Sequence, residues 1–288
     1  MAEIAILGGN GVYARHLIPR LVAAGHGVRA LVRRPEAAGV ARGCGADIHI
    51  ADIFDGDSLR AGLAGCDTCI NLATSLPGPS GRGDFAVNDR VRTEGVPVLL
   101  ESCRAAGIGR FVQQGIALVG GSGASLADEA AIVALDDDHP SAGPVAAALA
   151  MEAMVRESTL DWVILRGGLF YGPGTGFDAD WVARASVGKL RLPGDGSDYV
   201  SLIHIADMAA ATIDALTVWP SRETLIICDD TPVRWRELFD FVAAMVGGAP
   251  PQAGGRLGFP GFRMSNAKAR RMLGWAPFYS DYRAGLIR

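Results

Sequence analysis

The chain has 288 residues, 49% of them hydrophobic and 20% charged, and its formal net charge of −4 comes from 27 basic and 31 acidic residues. This composition is typical of a globular protein with a large core, and without a basic block no nucleic-acid partner is expected. The five cysteines follow no zinc-site or disulfide spacing, which predicts reduced thiols, no metal and a cytoplasmic location. Neither a signal peptide nor an apolar run of membrane-spanning length is present, so no membrane partner is expected.

Short apolar runs alternate with helical patterns through the first part of the chain. The predicted strands lie at 4–7, 28–33, 46–52, 67–74, 110–114 and 161–166. The predicted helices lie at 14–25 and 95–107, and Pro35 opens a short one. Strands and helices in alternation predict a doubly wound α/β fold, with a parallel sheet covered on both faces. We expect residues 1–166 to form this domain.

The residue composition of the sequence changes after Arg166. The segments 166–178 and 191–200 are rich in glycine and proline, as ligand-contacting surface loops often are. Strand and helix character returns at 201–216 and 224–230, which predicts that 201–230 rejoins the first domain. An amphipathic helix is expected at 234–247, and a short basic helix at 264–275 leads into an irregular tail. Residues 167–200 and 231–288 are therefore expected to form a smaller C-terminal substrate-binding subdomain.

The stretch IAILGGNGVYARHL carries the strongest motif. A predicted strand runs into Gly8, Gly9 and Gly11, and a helix follows. Glycines allow a tight turn and close approach to a pyrophosphate at a helix N-terminus, and a small residue at Ala14 allows close helix–strand packing. An ordinary glycine-rich turn is the alternative, but the strand–helix–strand order favours a Rossmann dinucleotide site. The residues expected to bind the dinucleotide here are Gly8, Gly9, Asn10, Gly11, Val12 and Ala14.

The end of the second predicted strand indicates which cofactor is used. NAD sites usually carry an acidic residue there for the ribose 2′-hydroxyl, whereas this chain has LVRRPE, with Arg33 and Arg34. A guanidinium pairs with a 2′-phosphate that a carboxylate would repel. NADP(H) is therefore favoured over NAD(H). The alternative is that both arginines are solvated surface charges.

With these motifs in place, the chain resembles an extended short-chain dehydrogenase/reductase of the NAD-dependent epimerase/dehydratase group. The resemblance rests on the order of GGNGVYA, ADIFDGDSL, NLAT at 71–74, LRGGLFYGPGT at 165–175, IHIADMA at 203–209 and SNAKARRMLGW at 265–275. It implies that Asp52 contacts the adenine amine and that two further segments lie beside the cofactor. The additional cofactor contacts that it implies are Asp52, Ile53, Leu72, Ala73, Thr74, Gln113, Gly167 and Leu169.

The family's chemistry resides in a Ser or Thr, a Tyr and a Lys, with the Tyr and Lys four residues apart on one helix. This chain departs from that pattern at each position, which the resemblance places at Gly115, Pro144 and Ala148. No Tyr or Lys occurs between Gly115 and Leu160. Arg92 stands where the family often has an Asn that supports the active-site helix. The catalytic residues are therefore unknown at this point.

Other side chains are candidates for contact with a small-molecule substrate. Tyr171 is a weak candidate for proton transfer, and packing is an equally good interpretation. His204 is expected to hold a strand–helix junction, the run Asp136–His139 to be a solvated helix N-terminus, and Cys69 and Cys103 to be core residues. The residues that could line an apolar substrate pocket, or simply cover it, are Gln114, Tyr171, Phe177, Trp181 and Tyr199.

Three functions remain open from the sequence. The first, narrowly favoured, is an NADP(H)-dependent oxidoreductase or isomerase acting on a small, partly apolar carbonyl or hydroxyl compound with unusual catalytic groups. The second is a redox-neutral enzyme, such as a cyclase or dehydratase, on the same scaffold. The third is a nucleotide-sensing regulatory protein without chemistry. The resemblance also implies a homodimer that pairs the helices at 95–107 and 143–158.

Overall fold

The computed structural model describes residues 2–79, 81, 83–121, 123–256 and 258–286. Within them, seven parallel strands form one sheet in the order β7-β6-β5-β4-β1-β2-β3. The strands are β1 (Glu3–Leu7), β2 (Gly27–Val32), β3 (Asp47–Ile50), β4 (Thr68–Asn71), β5 (Arg110–Ile116), β6 (Asp161–Gly167) and β7 (Glu223–Ile227). The doubly wound parallel sheet is confirmed, and the chain crosses over at β1, where the strand order reverses.

Helices cover both faces of the sheet. The helices of the described residues are α1 (Val12–Ala23), α2 (Gly39–Gly43), α3 (Gly56–Leu63), α4 (Phe85–Arg90), α5 (Val96–Ala105), α6 (Ala142–Glu157), α7 (Phe177–Ser186), α8 (Ile205–Val218), α9 (Trp235–Met245), α10 (Ala267–Leu273) and α11 (Tyr282–Leu286). One apolar cluster lies beneath α1 and α8, and a second lies beneath α3, α5 and α6. Both faces of each central strand are therefore buried, as its near-continuous apolar sequence indicates.

Helix α1 follows the glycine motif as expected and begins at Val12. Two other sequence expectations differ from the structure. The tail after α10 is not wholly irregular, because it contains α11. The helix expected at 95–107 is the second half of a longer one, since α4 continues into α5 through a π-helical turn at Val91–Gly95. There the Val96 N–H bonds to Val91 O, five residues back, just before Pro97, which has no N–H to donate.

Short two-stranded ladders and an aromatic core build the C-terminal part. The ladders are Leu169–Tyr171 with Leu202–His204, Arg191–Pro193 with Gln252–Gly255, Tyr199–Val200 with Val233–Arg234, and Leu126–Ala127 with Arg263–Met264. A third apolar cluster groups residues of α7, α9 and α11 with the buried faces of these ladders. No helix in the described part of the chain is both long and apolar enough to cross a membrane.

Candidate active site

The glycine loop is held tightly between β2 and β4. Gly8 adopts a φ of +82°, and a Cβ there would lie 2.9 Å from the backbone of Leu72 and Ala73. A Cβ on Gly9 would lie 2.7 Å from the Cβ of Ala30. The N–H groups of Gly8 and Gly9 both donate to Leu31 O, at 3.2 Å. Only glycine fits at either position, so the turn is built for close backbone approach.

Helix α1 begins directly after this loop. Its N-cap is Gly11, and its first turn contains no acidic residue. The first N–H groups of an α-helix lack partners within the helix and carry partial positive charge. Ala14 is fully buried against the sheet, so α1 lies close to it. This helix end can therefore receive a phosphate.

An open cleft runs across this loop at the carboxyl end of the sheet. Eight of the residues that the sequence assigned to cofactor binding line it: Gly8, Asn10, Gly11, Arg33, Ile53, Leu72, Ala73 and Thr74. Its remaining wall is mostly apolar and is formed by Leu7, Leu31, Val32, Ala51, Phe54, Ser75, Val87 and Val91. The sequence reasoning did not single out Phe54, Val87 or Val91. An apolar slot next to a phosphate-binding turn suits an adenine ring.

The corner of the cleft after β2 is basic. Arg33 is exposed and lines the cleft, whereas Arg34 is exposed and lies outside the lining. Among the described residues, neither arginine forms an ion pair. The charge of Arg33 is therefore available to an anion in the cleft. Asp52 is half-buried, and its Oδ1 accepts from Phe54 N at 3.0 Å, which shapes the loop after β3.

Eight of the residues assigned to the cofactor do not line the cleft: Gly9, Val12, Ala14, Arg34, Asp52, Gln113, Gly167 and Leu169. Gln113 is buried: its Oε1 accepts from Asn71 Nδ2 at 2.9 Å, and its Nε2 donates to Gln114 O at 2.8 Å. Gly167 lies beneath the ring of Phe170, and Leu169 packs against the C-terminal apolar cluster. Both polar atoms of the Gln113 side chain are thus hydrogen-bonded to residues of the sheet.

The positions that the resemblance assigns to the family's Tyr and Lys, Pro144 and Ala148, lie on α6; Pro144 is half-buried and Ala148 is buried. Ala148 is fully buried in a small apolar cluster with Val119 and Val145. Val133 and Leu135, from the irregular segment that precedes α6, pack against this cluster, as does Ile116. The Val133 N–H donates to Val119 O at 2.8 Å and fixes the segment in place. The space that a Lys side chain would need at Ala148 is therefore filled with apolar side chains.

The third position, Gly115, lies beside a buried ion cluster. A Cβ there would lie 3.1 Å from Glu152 Oε1 and 3.2 Å from Arg166 Cγ. Glu152 Oε1 accepts from Arg166 Nε at 2.9 Å, and its Oε2 accepts from Arg166 Nη2 at 2.7 Å and from Arg156 Nη2 at 2.6 Å. A serine or threonine at this position would crowd the ion cluster.

Arg92 joins the π-helical turn to the start of α6. Its side chain is buried, and its Nη1 donates to Pro144 O at 2.9 Å. Burial lowers the pKa of Arg92, and the nearby carboxylates of Asp89 and Glu152 partly offset this. At the position that the resemblance assigns to a supporting Asn, this chain thus has a buried cation bonded to α6.

Tyr171 does not reach the cleft. Its side chain is fully buried, its ring meets that of His204 edge-on at 5.2 Å, and its hydroxyl has no partner among the described residues. Burial raises the pKa of Tyr171 far above its ordinary value, so the phenolate is strongly disfavoured. His204 caps α8, since its Nδ1 accepts from Ala206 N at 3.2 Å, and burial lowers its pKa to about 4. Tyr171 therefore has the surroundings of a packing residue, and His204 has those of a helix-capping residue.

The other substrate candidates are spread over two regions. Trp181 is buried in the C-terminal core, 6.2 Å from the ring centroids of both Phe177 and Trp235. Tyr199 is half-buried, and the guanidinium groups of Arg234 and Arg263 each lie 4.7 Å from its ring centroid. Gln114 is half-buried on β5. No described residue of this set lines the nucleotide cleft.

The remaining polar and sulfur-bearing candidates have structural surroundings. Asp136, Asp137 and Asp138 are exposed in the turn before α6, and His139 Nδ1 accepts from Ser141 N at 3.0 Å. Cys69 and Cys103 are buried as free thiols, as expected of core residues. Within the described ranges, no group of His, Cys, Asp and Glu is arranged to hold a metal ion.

Comparison with known proteins defines the family. The model of the NAD dependent epimerase/dehydratase family matches residues 4–227. A 3-diazoavenalumate denitrifying reductase from Streptomyces sp is 31% identical over 99% of each chain. A 4-hydroxy-2-methyl-3-oxo-4-farnesyl-3,4-dihydroquinoline-1-oxide ketoreductase from Stigmatella aurantiaca is 28% identical over 86% of this chain and 76% of its own. The chain therefore belongs to the NAD-dependent epimerase/dehydratase family, and its reductase relatives support an oxidoreductase.

Solved structures share the fold. A dTDP-glucose 4,6-dehydratase from Streptomyces venezuelae, with NAD bound, superposes with a TM-score of 0.85 at 22% identity, over 99% of this chain and 95% of its own. A UDP-glucose 4-epimerase from Thermotoga maritima superposes with a TM-score of 0.82 at 19% identity, over 99% and 96%. At these identities the likeness concerns the Rossmann fold alone.

Proposed function

We propose that the chain is an NADP(H)-dependent reductase that delivers hydride to an acceptor carrying its own positive charge, and specifically to an arenediazonium group. The observation that carries this proposal is the apolar filling around Ala148. The positions from which relatives of this fold donate a proton hold no hydroxyl or ammonium group here, so the acceptor has to react without one.

The choice of NADP(H) rests on the basic corner of the cleft. The residues around the glycine loop fit a dinucleotide, because Gly8 and Gly9 leave no room for a Cβ and because Gly11, the N-cap of α1, lines the cleft. Arg33 has no acidic partner in the described part of the chain, and a 2′-phosphate at this corner would provide one. When bound, the reduced nicotinamide supplies a hydride.

The two candidate hydride acceptors, a ketone and an arenediazonium ion, differ in the charge that develops on them during the reaction. A ketone gains negative charge on oxygen when hydride adds to its carbon, and the transition state then needs a proton or a hydrogen-bond donor. An arenediazonium ion is neutralised instead. Hydride forms a bond to its terminal nitrogen and gives an aryl diazene. The hydrogen on that nitrogen then passes to the arene carbon as the C–N bond breaks, which releases dinitrogen and leaves an arene C–H. Atoms and electrons balance, with the nicotinamide oxidised and the arene carbon reduced.

The relative that spans the whole chain is named for this chemistry, as a denitrifying reductase of a diazo compound. Two relatives at 28% identity are named as reductases of oxo compounds, which makes ketone reduction the competing function. The filled space around Ala148 and Val133 favours the diazo compound over the ketone.

Binding is tested first, by calorimetric titration of the protein with NADPH, NADP⁺ and NADH. We expect NADPH to bind more tightly than NADH. The Arg33→Ala substitution should lower the affinity for NADPH by about 10- to 100-fold, because it removes a charged hydrogen-bonded pair. The effect of Arg33→Ala on NADH should be small. If no dinucleotide binds, the cofactor proposal fails.

Turnover is tested with a diazotised aminohydroxycinnamate and with the matching acetyl compound, following NADPH absorbance and dinitrogen release. One NADPH should be consumed per dinitrogen released, and the ketone should be inert. Reduction of the ketone at a comparable rate would favour the competing function. Turnover without a change in NADPH absorbance would establish a redox-neutral enzyme, and dinucleotide binding without turnover of any compound would favour a regulatory protein.

A further inference from the structure

One side of the nucleotide cleft is formed by the segment Leu72–Ser75, which follows β4. All four of its residues line the cleft, and they form neither a helix nor a strand. A Cβ on Gly8 would lie 2.9 Å from Leu72 O and from Ala73 N, so the segment packs directly against the glycine loop. Its backbone therefore needs hydrogen bonds from outside the sheet ladder to fix its place.

Two buried asparagine side chains supply these hydrogen bonds. Asn71 Oδ1 accepts from Ala73 N at 3.1 Å, and Asn88 Oδ1 accepts from Ser75 N at 3.0 Å. The two asparagines are 1% and 0% exposed, so water does not compete for either bond. Between them, Thr74 is exposed, and its N–H has no hydrogen-bond partner in the described part of the chain. One backbone donor of the segment is therefore available to a ligand in the cleft.

A chain of hydrogen bonds fixes which way the Asn71 amide faces. Asn71 Nδ2 donates to Gln113 Oε1 at 2.9 Å, and Gln113 Nε2 donates to Gln114 O at 2.8 Å. The chain begins at a backbone N–H, that of Ala73, and ends at a backbone carbonyl. Turning either amide over would place two donors or two acceptors against each other. Asn71 is therefore held with its oxygen toward the cleft segment.

We propose that Asn71 and Asn88 are positioning residues for the cofactor, which hold Leu72–Ser75 in its ligand-binding conformation before the dinucleotide arrives. The inference rests on the proposed use of NADP(H). A segment that is already in place costs no ordering free energy when the ligand binds. When one of the two bonds is lost, the segment is in place for only a fraction of the time. The apparent dissociation constant then rises by the inverse of that fraction.

Calorimetric titration with NADPH compares the unmodified protein with Asn71→Leu and Asn88→Leu, each of which removes the acceptor oxygen at similar side-chain volume. The matched control is Asn266→Leu. Asn266 is also buried, and its Nδ2 donates to Cys228 O at 2.9 Å and to Asp230 Oδ1 at 2.8 Å, but it does not line the cleft. Thermal unfolding of every variant measures how far the substitution destabilises the fold in general.

We expect Asn71→Leu and Asn88→Leu to raise the dissociation constant for NADPH by about 3- to 10-fold, the usual effect of one neutral hydrogen bond. Asn266→Leu should lower the unfolding temperature and leave the affinity for NADPH unchanged. Unchanged affinity in both cleft variants, or an equal loss of affinity in Asn266→Leu, overturns the inference while the cofactor proposal stands. If the unmodified protein binds no dinucleotide, the cofactor proposal fails and the inference fails with it.

Hydrogen exchange of the unmodified protein tests the same inference without any substitution. The amides of Ala73 and Ser75 should be protected before NADPH is added, because their acceptors are already in place. The Thr74 amide should exchange rapidly in the free protein and become protected only when NADPH binds. Protection of Ala73 and Ser75 that arises only with NADPH would show a segment that is ordered by the ligand, and this result would overturn the inference.

Discussion

Replacing Glu152 by Gln tests whether the buried ion cluster on α6 holds the fold together. The Glu152 side chain is 0% exposed and that of Arg166 is 3% exposed. Two of the three hydrogen bonds to the carboxylate come from Arg166, whose remaining described partner is Glu129 O, at 3.0 Å from its Nη1. An amide in place of the carboxylate keeps the shape but leaves the guanidinium of Arg166 buried without a counter-charge.

The magnitude follows from burial. Breaking a buried ion pair on one side costs about 3–5 kcal/mol, because the remaining charge is uncompensated. The amide oxygen of Gln can still accept one hydrogen bond, so we expect about 3 kcal/mol for Glu152→Gln. The Arg156 side chain is 38% exposed, so Arg156→Met removes a solvent-screened partner and should cost about 1 kcal/mol or less.

Urea unfolding measures both changes, with Glu157→Gln as the control, since Glu157 is an exposed acid near the end of the same helix. The control should be within about 0.5 kcal/mol of the unmodified protein. A loss under about 1 kcal/mol for Glu152→Gln, or an equal loss for Arg156→Met, would refute the reasoning that burial makes Arg166 depend on this carboxylate.

Three further predictions follow from other parts of the structure. Gly9→Ala should cost about 1–3 kcal/mol in thermal unfolding, because its Cβ would lie 2.7 Å from that of Ala30, whereas Gly39→Ala, with open space around it, should cost nothing. Burial raises the pKa of Asp229 to about 8, so the folded state retains a proton that the unfolded state releases above about pH 4. Stability should therefore fall as pH rises toward 8, by on the order of 1 kcal/mol per pH unit, and Asp229→Asn should flatten this dependence in urea titrations. We also propose that the exposed face of α6 pairs in a homodimer with α5, in which case Ala146→Glu should give a monomer in sedimentation at micromolar concentration; an unmodified protein that is already monomeric contradicts this.

The helix that precedes α5 shows why part of the fold could not be predicted from the sequence. Apolar side chains line the cleft at Val87, which is 39% exposed, and at Val91, and a buried series resumes at Val96 and Leu99. The step from Val91 to Val96 is five residues, which is the period of the π-helical turn and not that of an α-helix. Because the inserted residue shifts the phase, no single helical period links the two halves. Two residues of the cleft wall, Val87 and Val91, lie on this stretch.

Motifs with a fixed backbone requirement were easier to locate. Gly8 and Gly9 are determined by contacts within a few residues of the turn and by the two neighbouring strands, so their spacing alone indicates their place. The place of Trp181 depends instead on Trp235 and Phe239, which are more than fifty residues further along the chain. An aromatic side chain suits a pocket and a core equally well, and only tertiary packing decides between them.

The absence of Tyr and Lys from α6 is evident from sequence, but its consequence depends on a segment without regular structure. Val133 and Leu135 occupy the space beside Ala148, and one backbone hydrogen bond to Val119 holds them there. Ala148→Lys would therefore bury an ammonium group among apolar side chains, at a cost of several kcal/mol, and would not regenerate a proton relay.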